Sequence, residues 1–349
     1  MTGFSAKQGL WHYRRVKPAL LLLVSAALSL PAFAQVKITP GPEKIRVEIN
    51  GKPFTDFYVA GKLPPYEWPA GKGKMVDAEV MKPFLFPLRA ASGTYITRMW
   101  PMEDVSEEKD LKRDHPHQRG LWFVHDKVNG LDFWNNEAGY TTPHRGKVVL
   151  KKLGQMRSGS KQGSIAATFD WQDLQGATQL TESRLMTFRA DPSLRIIDLD
   201  ITLTAAGKVV FGDSKDGAFG IRLRPGLQED TGSGHITNAA GGTTEKVVWG
   251  KPSDWCDYSG DINGERLGVT ILDHPSNPHH PPRWHARAYG LFAVNPFGFG
   301  AFTNDKSQDG SITVDPGQSL RFRYRVIIHP GDAASAHLAD YWKEFTATK

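Results

Sequence analysis

One cysteine, Cys256, stands in a chain of 349 residues, so no disulfide can form within a molecule and stability must come from a packed core. After residue 34 no apolar run is long enough to cross a bilayer as a helix. Charge of one sign is also scarce. The formal net charge of +6 owes four Lys/Arg to residues 1–34, which hold no Asp or Glu, and it falls to +2 without them. No Lys/Arg-rich run supports a nucleic-acid surface. Fixed-period repeats, low-complexity tracts and a dividing linker are missing too. So are a Gly-x-Ser-x-Gly elbow, a Ser-His-Asp order and the paired carboxylates of a glycosidase.

What is present begins with an address. Lys7, Arg14, Arg15 and Lys17 precede an apolar run, Ala19 to Leu30, too short for a membrane span. Ala32-Phe33-Ala34 then gives the small-x-small pattern of a cleavage site. The expectation is a signal peptide over 1–34, a single domain over 35–349, and an exported protein, periplasmic or secreted.

That domain reads as strands. Lys44 to Ile49 alternates and ends at Asn50-Gly51, a tight-turn signal. Leu121–His125, Leu131–Trp134, Lys147–Leu153, Ser164–Asp170, Thr181–Arg189 and Ser193–Thr204 follow, the last with a shift of phase near Ile197 that suggests a bulge. Further on come Ala218–Arg224, Lys246–Trp249, Trp255–Tyr258, Leu267–Leu272, Ala288–Val294 and Gln318–His329, with Gly, Pro, Asn and Asp in the gaps. Only Ala333 to Phe345 has helical spacing. So many strands predict an all-β fold, a large two-sheet antiparallel β-sandwich with a short C-terminal helix.

Two windows hold seven of the twelve histidines. One is Asp114-His115-Pro116-His117-Gln118-Arg119-Gly120-Leu121-Trp122-Phe123-Val124-His125. The other runs from Asp273-His274 to Arg283-Trp284-His285. We expect them to meet in one site. Paired imidazoles near neutral pH suit proton transfer at a sugar carbon or oxygen. His117 and His285 are the candidate proton carriers, with His115 orienting. Arg119 and Arg283 are candidates to stabilise developing oxyanion charge. The bland alternative is that such histidines cap turns or bond core carbonyls.

Candidate ligand-binding residues surround these. Lys215, Asp216 and Arg222 lie in a Gly-rich segment entering a strand. Asp257 and Tyr258 would suit sugar hydroxyls, and Asp273 and His274 open the second window. Trp122, Trp134 and Trp284 offer faces for a pyranose ring, and His125 follows on the strand at the end of the first window. No cofactor is predicted. A divalent metal would need further ligands through His285 or His274, and no specific metal motif is present.

Several of these motifs resemble the PmoA-like family. They are Asp114-His115-Pro116-His117-x-Arg119-Gly120-Leu121-Trp122, Asn129-Gly130-x-Asp132-Phe133-Trp134, Phe211-Gly212-Asp213-Ser214-Lys215-Asp216-Gly217-Ala218, Trp255-Cys256-Asp257-Tyr258 and Asn295-Pro296-Phe297-Gly298. Gln118 departs from the pattern, where a third histidine is expected in many relatives. The resemblance implies an exported bacterial β-sandwich similar to galactose mutarotases. The combined expectation is histidine-based acid–base chemistry on a carbohydrate or sugar derivative, of lyase, epimerase or hydrolase type. The alternatives are a non-catalytic carbohydrate-binding module and metal-dependent oxidation. The expected partner is a small-molecule or oligosaccharide ligand.

Overall fold

Asn50 and Gly51 take left-handed backbone angles, φ 54° and 74°. They reverse the chain between strands Lys44–Ile49 and Lys52–Tyr58, as the Asn-Gly pair predicts. The structure is a computed structural model that describes residues 1–5, 35–69, 73–109 and 112–348. The expected leader run and cleavage motif lie outside the described residues. Residues Phe33–Lys349 form one compact unit.

The unit is the expected antiparallel β-sandwich of two eight-stranded sheets. In spatial order the first sheet is Val36–Thr39, Lys44–Ile49, Lys52–Tyr58, Phe84–Phe86, Leu121–Phe123, Phe219–Arg222, Leu291–Asn295 and Arg283–Ala286. The second is His235–Asn238, Trp255–Ile262, Glu265–Asp273, Ser319–Pro330, Arg195–Ala205, Thr178–Arg189, Gln162–Asp173 and Gly146–Arg157. Aromatic pairs join the inner faces: Phe54 with Phe188, Phe57 with Phe169, Phe123 with Phe322, and Phe219 stacked on Tyr324. Among the described residues no helix is long and apolar enough to cross a membrane.

Strand pairing tells the two faces of the first sheet apart. Phe123, Phe219, Val294 and Trp284 form one cross-strand row, and Phe219 and Phe123 face the second sheet. The neighbouring row is Trp122, Gly220, Ala293 and His285. Because successive side chains alternate, that row points away from the second sheet. Two small residues at its middle leave room for ring packing, and Trp122 and Trp134 fill the space over Gly220. A Cβ on Gly220 would press on the rings of Trp122 and Trp134, at 2.9 and 3.0 Å.

Four expectations of local structure are corrected. Leu131–Trp134 is no strand and holds only isolated bridges at Leu131 and Asp132. Register is continuous through Ile197 on both sides, so there is no bulge. Ile196 instead faces outward and is covered by Phe345, alongside Leu272 and Ile327. Lys246–Trp249 is not a strand: Glu245–Val248 is a short helix. The C-terminal helix spans Leu338–Thr346 rather than starting at Ala333, because His337 turns left-handed (φ 52°) at its start.

Candidate functional site

The first window enters the sheet through a constrained loop. His115 has φ 47°, and Gly120 (φ 56°) passes so close to Leu85 that a Cβ would stand 2.0 Å from its carbonyl oxygen. The loop brings His115 and His117 together, ring centroids 5.7 Å apart. His115 stacks on Tyr289 at 5.6 Å, and its Nδ1 lies 3.0 Å from Asp114 Oδ1. His117 is buried, with Nδ1 2.7 Å from the Tyr140 hydroxyl and Nε2 without a partner. Burial pushes its pKa well below the usual histidine value, and the positive charges of Lys82, Arg98 and Arg119 push the same way.

His285 comes from the edge strand Arg283–Ala286. Its Nδ1 sits 2.9 Å from the Lys215 carbonyl oxygen, which can only accept, so Nδ1 carries the hydrogen. Its Nε2 is therefore the unprotonated nitrogen, and it is buried without a partner. Burial lowers the pKa to about 4, against the opposing effect of Asp216. His285 is thus neutral at physiological pH with a lone pair on Nε2.

These groups line one cavity of about 290 Å³, which takes in His115, His117, Trp134, Lys215, Asp216 and His285. Both histidine windows therefore contribute to it. Gln118, Asn135, Arg287, Tyr289 and Leu291 complete the lining. Lys215 and Asp216 pair with each other at 3.0 Å, and Arg287 bonds Glu245 at 2.7 Å while lying over the Tyr289 ring.

The remaining predicted residues do not reach this cavity. Arg119 is buried in an ion pair with Glu137 and packs over Tyr66, so its charge is already matched. Arg283 bonds the Gly250 carbonyl at 2.8 Å and lies over Phe299, leaving neither arginine placed for the oxyanion role. Trp122 is fully buried against Trp134. Trp284 sits in the inward row with its Nε1 on the Ser253 carbonyl, because alternation turns it away from His285. His125 donates from Nε2 to the Gly212 carbonyl at 2.7 Å beside Phe297, and burial lowers its pKa to about 4.

Asp257 accepts from Thr270 at 2.6 Å and faces His329 at 3.0 Å. Tyr258 donates to the Arg287 and Leu291 carbonyls, at 3.1 and 3.2 Å, holding the cavity wall from behind. Asp273 bonds His280 and Asn277, and His274 bonds Ser276 and accepts from Arg323. These pairs brace the second window against the C-terminal helix. Arg222 bonds Gln118 and Asp114 at 2.5 and 3.1 Å beside a neighbouring cavity. Among the described residues no three His, Cys, Asp or Glu side chains converge as a metal site. His274, one expected metal ligand, is committed to Ser276 and Arg323 instead.

Tyr140, Arg287 and Tyr289 were not legible as site residues. Each lies in a loop, and the only local signal is an aromatic beside a glycine, Gly139-Tyr140 and Tyr289-Gly290.

The chain is similar to several solved structures at low identity. A galactose mutarotase-like protein from Clostridium acetobutylicum is 9% identical, with 76% of this chain and 98% of that chain covered and a TM-score of 0.33. A galactose mutarotase related enzyme from Lactobacillus acidophilus is 6% identical, with 84% and 97% covered and a TM-score of 0.34. The GH36 alpha-galactosidase AgaA from Geobacillus stearothermophilus is 9% identical, with 85% and 40% covered and a TM-score of 0.37. The chain thus spans well under half of that enzyme. No curated protein matches it. The resemblance to the PmoA-like family is corrected by the family match itself. Residues 44–343 match the family described as "Family of unknown function (DUF6807)", and the chain belongs to that family.

Proposed function

We propose that the protein binds a small carbohydrate or sugar derivative in the His117–His285 cavity and performs acid–base chemistry on it. One observation carries this reading: two buried, neutral imidazoles line the same cavity, each with Nδ1 engaged and Nε2 unpartnered. His285 Nε2 is a base by its tautomer, able to take a proton from a sugar C–H or O–H. His117 Nε2 becomes a hydrogen-bond donor when the Tyr140 hydroxyl donates to Nδ1. A neutral imidazole N–H of this kind can polarise a carbonyl or steady a developing oxyanion. Lys215 and Arg287, each paired with a carboxylate, offer N–H donors at the wall, and Tyr289 and Trp134 supply aromatic surface. The cavity volume is at the small end of ligand sites, which suits a monosaccharide-sized group.

The test is turnover of a panel of mono- and disaccharides with their keto and acid derivatives, followed against pH. Unperturbed histidines would give a bell near neutrality. Here the ring must be neutral to accept a proton, so kcat/KM should rise as pH passes upward through about 4 and stay level into the neutral range. His285→Ala should lose that activity. Affinity for a sugar without any turnover would favour the binding module, and unchanged activity in His285→Ala would remove the mechanism.

A further inference from the structure

We propose that the cavity next to the histidine site, across Tyr289, is an anion subsite that takes a carboxylate, sulfate or phosphate group carried by the saccharide. This deepens the carbohydrate reading and rests on it. The neighbouring cavity measures about 240 Å³ and shares Tyr289 with the first. Its inner wall holds two buried arginines, Arg98 and Arg222, 4% and 3% exposed.

Both guanidinium groups draw on the same carboxylate oxygen. Arg98 Nη1 lies 3.3 Å and Arg222 Nη2 3.1 Å from Asp114 Oδ1, the atom His115 also approaches at 3.0 Å. The other bonds of Arg98 go to the carbonyls of Asp114, His115 and Gln118, which fix its position without neutralising it. The Nε atoms of both arginines are buried without a partner. Arg98 lies over the Trp100 ring and Arg222 over Tyr289, so aromatic faces hold the planes of both.

Four cationic side chains line the cavity, Arg98, Arg222, Lys112 and Arg113. The carboxylates there are three: Asp114, Glu108 and Asp230. Glu108 is spent on the backbone amides of Met99 and Trp100, at 2.8 and 3.0 Å. Arg113 is matched outside the cavity by Asp104, at 2.5 Å. At the buried inner wall Arg98 and Arg222 share the one carboxylate of Asp114, and burial makes an incompletely matched guanidinium costly, so an incoming anion supplies the second partner. A ligand with its acid group here and its next residue across Tyr289 would present that residue to His117 and His285.

The experiment is titration calorimetry on the full chain with glucose, glucuronate, glucose 6-phosphate, glucose 6-sulfate, neutral and acidic disaccharides, and inorganic sulfate alone. Acidic sugars should bind about tenfold or more tightly than neutral ones, the scale of one charge-assisted hydrogen bond. Raising salt should narrow the gap. The three acid types separate carboxylate from sulfate and phosphate. Arg222→Gln should abolish the preference. Should that variant not fold, Lys112→Gln at the exposed rim decides, with a several-fold loss confined to acidic sugars. Equal affinity for acidic and neutral sugars, or a preference untouched by both variants, overturns the subsite. His285-dependent binding of neutral sugars without acid preference overturns it while leaving the carbohydrate reading standing. Sulfate binding lost in both variants, with no saccharide bound, keeps the anion site and overturns the carbohydrate reading.

Discussion

A loop-borne polar residue usually contributes activity and little stability, and His117 stands on a loop. It is buried instead, so removal touches both. His117→Ala should lower turnover about a hundredfold, the usual scale for a lost acid–base group. It should also cost about 1–3 kcal/mol, since the half-buried Tyr140 hydroxyl loses its partner and the buried ring its packing. Tyr140→Phe keeps both rings and removes only this hydrogen bond. It leaves the buried His117 Nδ1 without its partner, so we expect a comparable stability cost, about 1–3 kcal/mol, with turnover well below what the folded fraction explains. When the hydroxyl donates to Nδ1, the hydrogen of His117 stands on Nε2, the tautomer that the proposed role requires. Equal losses of stability and activity in Tyr140→Phe would make that contact a brace only. Both neutral histidines also carry a pH signature. Their folded pKa values are depressed, so the unfolded chain binds more protons, and the stability they give should fade as pH drops from about 6.5 towards 4.

At the scale of elements, the strands were legible because one face alternates. Strand Arg195–Ala205 buries Ile197, Leu199, Ile201 and Leu203 towards the other sheet. Ile196 broke the pattern and was read as a bulge, since sequence alone does not show that a helix covers the outer face there. That helix, Leu338–Thr346, sets Phe345 against Ile196, Leu272 and Ile327, with Arg325 4.9 Å from the ring. Trp342 donates from Nε1 to the Asp273 carbonyl at 3.2 Å. The helix therefore holds down the strand end from which the second histidine window departs. Phe345→Ala should cost about 3–5 kcal/mol and lower the melting temperature by several degrees. Circular dichroism and thermal melts check this, and an unchanged melt would show the outer face to be self-sufficient. The candidate site was half legible for a related reason. The first window gives His115 and His117, but from the second only His285 arrives. Its neighbours Trp284 and Arg283 are turned elsewhere by strand alternation and a backbone carbonyl, and no motif in the sequence encodes which of two faces becomes the cavity floor.

The two sheets share one apolar core, and neither buries its inner face without the other. Trp171 and Phe322 of the second sheet pack on Phe123 of the first, and Phe219 stacks on Tyr324 across the gap. Separating the sheets would expose this whole layer at once, so we expect them to unfold together. Cys256 reports on that event. It is fully buried on strand Trp255–Ile262, paired with Glu265–Asp273, and burial pushes its thiol pKa well above the ordinary value. In the folded state it is therefore both inaccessible and protonated, and thiol reagents attack only the thiolate. Being the chain's one cysteine, it gives a single labelling signal with no disulfide exchange to confuse it. Pulse labelling along a denaturant series should show Cys256 becoming reactive at the midpoint of tryptophan fluorescence and far-UV circular dichroism. The tryptophan signal draws on both sheets, with Trp122 and Trp284 in the first and Trp171 and Trp255 in the second. Reactivity that begins well below that midpoint would mean the sheet holding Cys256 opens on its own, and the sandwich would then be two cooperative units sharing a face.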